Sequence, residues 1–86
     1  MHEFSLINNL IGKIETLANE NKASKVTRVK VTLGALSHIS AEHFKDHFYE
    51  GVRGTVAQDA KLDIVKLSDT SHPQAEEIIL DSIDVE

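Results

Sequence analysis

Apolar side chains recur near the start of the chain at Leu6, Ile7, Leu10, Ile11, Ile14, Leu17 and Ala18, while Asn8, Asn9, Lys13, Glu15 and Thr16 fall largely between them. Steps of three and four predict an amphipathic helix over 4–19 with a broad buried stripe. The polar run Asn19-Glu20-Asn21-Lys22 ends it in a turn. From Lys25 the period drops to two: Val29, Val31 and Leu33 alternate with Arg28, Lys30 and Thr32. This predicts a strand with one covered face, closed by Gly34. After a connector over 35–39, Ser40 offers an N-cap, and Glu42 sits in the first turn, where the helix dipole favours an acid. Phe44, Phe48 and Val52 then repeat every four residues, predicting a second helix over 41–51 with Gly51 and Gly54 as stop signals. Strands follow at 61–67 and 77–85, separated by the loop 68–76, which holds the only proline and the densest turn chemistry.

The order α-β-α-β-β predicts an α+β fold, a two-layer sandwich with two helices on one face of a three-stranded mixed sheet. The first strand–helix–strand unit makes two parallel strands with a right-handed crossover, and the last strand returns antiparallel through 68–76. The second sheet face and two edges stay uncovered, so dimerisation or strand exchange is an expectation.

Composition narrows the function. With 86 residues, 41% of them hydrophobic and 27% charged, the chain reads as one small globular unit. Its 9 basic residues stand singly against 14 acidic ones, for a net charge of -5, which excludes a clustered nucleic-acid face. There is no cysteine, so disulfides, thiolate zinc sites and cysteine nucleophiles are excluded. No stretch approaches the roughly 20 apolar residues of a membrane span, and the expected location is the cytoplasm. No Gly-rich phosphate loop and no nucleophile elbow surrounds the serines, so an enzyme is not expected.

Two features carry candidate chemistry. At the terminus, the Met1 α-amine, the first backbone amides and the His2 imidazole supply four nitrogens that can lie in one plane, a set suited to Ni(II) or Cu(II). The plainer reading makes His2 a polar residue ahead of a helix and Glu3 an acid stabilising that helix by roughly a few tenths of a kcal/mol. His43 and His47 are one helical turn apart, a spacing at which both rings can reach one metal. The sequence His43-Phe44-Lys45-Asp46-His47 lacks the Glu of a zinc-protease helix, so a solvated helix flank is the first reading of this pair. His38 and His72 lie in loops, and the four histidines together form a third reading, a second metal site completed in an oligomer.

MHEFSL at the start, VTRVKVTLGALSHISAEHF in the middle, GTVAQDAKLDIV after the second helix and the closing SIDVE together resemble the HypA/HybF family of nickel metallochaperones in hydrogenase maturation. The resemblance covers nearly the whole chain. It implies His2 as principal Ni(II) ligand, with the Met1 amine and the amides of His2 and Glu3 completing the site and Glu3 orienting and tuning it. It also implies delivery to [NiFe]-hydrogenase or urease, and a HypB-type GTPase and the hydrogenase large subunit as partners. A metal-independent interaction module that keeps the fold is the alternative. The family carries a zinc-binding insertion of two Cys-x-x-Cys pairs between the second and third strands, whereas here LDIVKL runs through SDTSHPQ to EEIILDSIDVE. The expectation is a nickel-binding-type domain over 1–86 with the zinc domain replaced by loop 68–76, and a hairpin joining two adjacent strands where the insertion was.

Overall fold

The structure, a computed structural model, describes residues 2–86, with side chains from residue 5 onward. Its elements are α1 (His2–Glu20), β1 (Val26–Leu33), α2 (Ala41–Gly51), β2 (Lys61–Lys66) and β3 (Ile78–Val85). They form the expected α+β sandwich. The helices touch each other and share one face of the sheet, α1 over β3 and α2 over β2.

The core follows from the two periodicities. α1 buries Ile7, Leu10, Ile11, Ile14 and Ala18; β1 buries Val26, Val29, Val31 and Leu33; α2 buries Phe44 and Phe48, followed by Val52. The rings of Phe44 and Phe48 stack with centroids 5.9 Å apart, and each fully buried ring stabilises the fold by about 1.5–3 kcal/mol through apolar burial. Ser40 caps α2 as expected, its hydroxyl accepting from the His43 amide at 3.1 Å. Leu6 and Leu17 depart from the expected stripe. Each is 37% exposed, at the margin of the core, where they line an open groove with Ile78, Ile79 and Leu80.

Strand order corrects one expectation. The sheet runs β2-β1-β3, with β1 parallel to β2 and antiparallel to β3, so β2 and β3 are not neighbours and 68–76 is not a hairpin turn. The reason lies in β1, whose four buried aliphatic residues need cover on both flanks. A central strand gets it from two partners, and an edge strand from one. The loop therefore crosses the end of β1. It is held there by the Gly34 amide donating to the Glu77 carbonyl at 2.8 Å and the Leu36 amide donating to the Ala75 carbonyl at 2.7 Å. The Lys66 ammonium ties the facing connector, donating to the Ile39 carbonyl at 3.0 Å.

Candidate functional site

α1 begins at His2, so the amides of His2 and Glu3 belong to the first turn, whose N–H groups have no acceptor within a helix. Met1 and the side chains of His2 and Glu3, the expected metal ligands, lie outside the described residues.

The other four histidines are dispersed over three elements. His43 and His47 stand on α2 as the spacing predicts, ring centroids 5.3 Å apart and planes within 22° of parallel. His38 is exposed in the connector ahead of α2, with a left-handed backbone at φ 60°. His72 lies in the β2–β3 loop, where its Nδ1 accepts from the Gln74 amide at 3.0 Å. Among the described residues no three His, Asp or Glu side chains gather where one ion could bind them. Within one chain, then, His38, His43, His47 and His72 do not make the common site considered above; only the helical pair comes together.

The sheet face away from the helices is polar at one end. Arg28 on β1 bonds Asp63 of β2 at 2.8 Å and reaches Asp84 of β3 at 3.9 Å, which spans all three strands. All three side chains are about half exposed or more, so each pair contributes at most about 1 kcal/mol. Sequence reasoning placed Arg28 on the polar face without its partners. The signal was present, since Asp63 and Asp84 fall on the same face by alternation. Toward the other end Thr32 pairs with Val65 on one side and Ile79 on the other, and its hydroxyl donates to Asp81 at 2.6 Å.

The β2–β3 loop is built on Asp69. Its carboxylate accepts from the Ser71 hydroxyl at 2.7 Å and the Ser71 amide at 2.9 Å. These two bonds hold the carboxyl below its ordinary range. With the connector ahead of α2, the loop encloses a cleft of about 380 Å³ lined by Leu36, Thr70, His72, Pro73, Ala75 and Glu76. No described helix is long and apolar enough to cross a membrane.

Known proteins match both the sequence and this architecture. The HypA family model, described as hydrogenase/urease nickel incorporation, metallochaperone, matches residues 1–72. The hydrogenase maturation factor HypA of Aquifex aeolicus is 42% identical over 62 residues, covering 72% of this chain and 54% of that protein. HypA 2 of Bradyrhizobium diazoefficiens is 38% identical over 71 residues, covering 83% of this chain and 63% of its own length. The chain thus spans a little over half the length of the curated relatives it matches. The solution structure of the Ni metallochaperone HypA from Helicobacter pylori superposes with a TM-score of 0.80 at 27% identity, over 96% of each chain. A family match that starts at residue 1 and a fold shared with a nickel metallochaperone lead to one conclusion: the chain belongs to the HypA family of nickel-incorporation metallochaperones, in a form without cysteine.

Proposed function

We propose that this chain carries Ni(II), or a related divalent ion, on the Met1 amine, the amides of His2 and Glu3 and the His2 imidazole, with Glu3 orienting the site. It surrenders the ion to a partner during [NiFe]-hydrogenase or urease maturation. It acts in the cytoplasm as a carrier, not as an enzyme. By family, a HypB-type GTPase and the hydrogenase large subunit are the partners, and loop 68–76 of this nickel-binding-type domain stands in place of the zinc domain.

The observation that supports this reading most is the family match beginning at residue 1, because it includes the Met1-His2-Glu3 terminus. The donor chemistry agrees. A planar set of nitrogens suits Ni(II), and amides at the start of a helix give up no internal hydrogen bond when they bind metal. Binding requires deprotonated nitrogens, so affinity falls as pH falls, and protonation of the donor nitrogens drives release.

The test is a Ni(II) titration of protein with an authentic Met1, of His2→Ala, and of protein with residues added before Met1. Both altered proteins are expected to lose the site. Equal binding by all three overturns the proposal. Cu(II) binds the same nitrogens at least as tightly.

The open sheet face favours a second reading, a metal-independent interaction module that pairs with a partner or with a second copy. On that face Val65 is 45% exposed beside Thr32 and Ile79. This reading expects His2→Ala to keep its partner in co-purification, whereas the carrier reading expects metal-dependent capture to be lost.

A further inference from the structure

We propose that the outer edge of β3, with the groove beside α1, takes an extended segment of a partner protein in which apolar residues alternate with lysine or arginine, as a fourth strand of the sheet. This surface is the sheet's edge, not its open face, and it holds whether or not the terminus carries metal. β3 pairs on one side only, with β1, so the backbone groups along its other side are open to a further strand. The two edges of the sheet differ. β2 is six residues long and carries Lys61 and Lys66 at its ends, and charged side chains, lysine above all, discourage pairing at an edge. β3 is eight residues long and has neither lysine nor proline. Its register with β1 shifts at Val26/Arg28 and Lys30/Val31, irregularities that work against pairing where they fall. Past the second shift, Leu80, Ile79 and Ile78 follow Val31, Thr32 and Leu33 in step, which leaves a regular and wholly apolar stretch at the edge.

The groove lies against that same stretch. It measures about 1040 Å³ and is lined by Leu6, Lys13 and Leu17 of α1 with Ile78, Ile79 and Leu80, and by no residue of β1, β2 or α2. It therefore flanks the sheet on the β3 side. Leu6 and Leu17 are both exposed there. Side chains of an added strand alternate between its faces, so every second one would lie over these leucines. Main-chain bonds then give affinity and the alternate side chains give specificity. Charge selects the occupant. The chain has no lysine or arginine after Lys66, while residues 76–86 hold five acids: Glu76, Glu77, Asp81, Asp84 and Glu86. Pairing β3 with β3 of a second copy would bring two such tracts together, and like charges facing across strands are destabilising. A basic strand meets opposite charge instead.

The experiment uses the full chain and, as probe, an end-blocked peptide of alternating valine and lysine as long as β3. Titration followed by NMR is expected to shift the amide resonances of Ile78, Ile79 and Leu80 and the methyl resonances of Leu6 and Leu17. Leu6→Asn combined with Leu17→Asn weakens binding by about tenfold through lost apolar contact, with circular dichroism to confirm folding. A valine–glutamate peptide of equal length binds at least about tenfold more weakly, and added salt narrows that difference. N-methylation of the peptide leaves the protein itself unaltered. Methylating the valine amides or the lysine amides blocks one side of the added strand at a time, so one set abolishes binding and the other leaves it. No binding, equal binding of the glutamate peptide, or indifference to both methylations overturns the proposal. So does a concentration-dependent dimer that shifts the same β3 resonances, since the second copy is then the occupant.

Discussion

Gly34 is constrained by the space beside it. A Cβ there would collide with the backbone of Ala75 and Gln74, the segment that crosses the end of β1. Gly34→Ala must push that crossing away and strain the bonds between Gly34 and Glu77 and between Leu36 and Ala75. We expect it to cost about 1–3 kcal/mol, the range for overpacking, read as a lower urea midpoint. Gly12 is the natural contrast: it lies exposed in α1 with nothing within 4 Å of an added Cβ. Gly12→Ala is expected to stabilise by roughly 0.5–1 kcal/mol through lower backbone entropy in the unfolded chain. In the sequence both glycines are visible and only their local roles can be read. Gly34 closes a strand, but its close neighbour is some forty residues away, and spacing along the chain carries no sign of that encounter.

Among the elements, α2 is short and depends on its anchors. Phe48→Ala removes a wholly buried ring stacked on Phe44 and is expected to cost about 3–5 kcal/mol, enough in so small a chain to show as partial unfolding by circular dichroism. The β2–β3 loop answers to acid instead. Because the bonds from Ser71 lower the Asp69 pKa in the folded state, their contribution is present above the ordinary carboxylate value of 3.8 and is lost as pH falls through the lower folded value. The Ser71 amide resonance should move in that acid range, and Asp69→Ala should abolish the response. A Ser71 shift centred above the ordinary value would count against this account. Element type and limits were legible from the change in apolar period, from 3.6 to 2 and back, and the Ser40 cap was legible from one hydroxyl. Strand order was not. Alternation reports which face of a strand is covered and is silent on which strand lies beside it, and the irregular register between β1 and β3 at Val26/Arg28 and Lys30/Val31 has no local signature.

Taken whole, the molecule separates its proposed cargo site from its core. A site made of residues 1–3 alone forms as well on an unfolded chain as on a folded one. Ligands that bind both states equally leave folding stability unchanged. Saturating Ni(II) at the terminus should therefore not move the thermal midpoint; a rise of several degrees would mean that the fold itself supplies ligands. The proposed terminal site is suggested by three letters only through the family they resemble, because a planar nitrogen set has no periodicity to betray it. The same partition governs the crossing loop. It departs where the Leu67 amide donates to the Leu33 carbonyl at 2.9 Å and returns where the Glu77 carbonyl accepts from Gly34 at 2.8 Å, so its ends are pinned to the last residue of the central strand and the residue after it. Whatever length of chain lies between those pins, the sheet register is already set, and closing a longer excursion costs only about 0.6 kcal/mol per doubling. Leu67 and Glu77 thus act as a socket, at which the connection between β2 and β3 can lengthen or shorten while the sheet keeps its register.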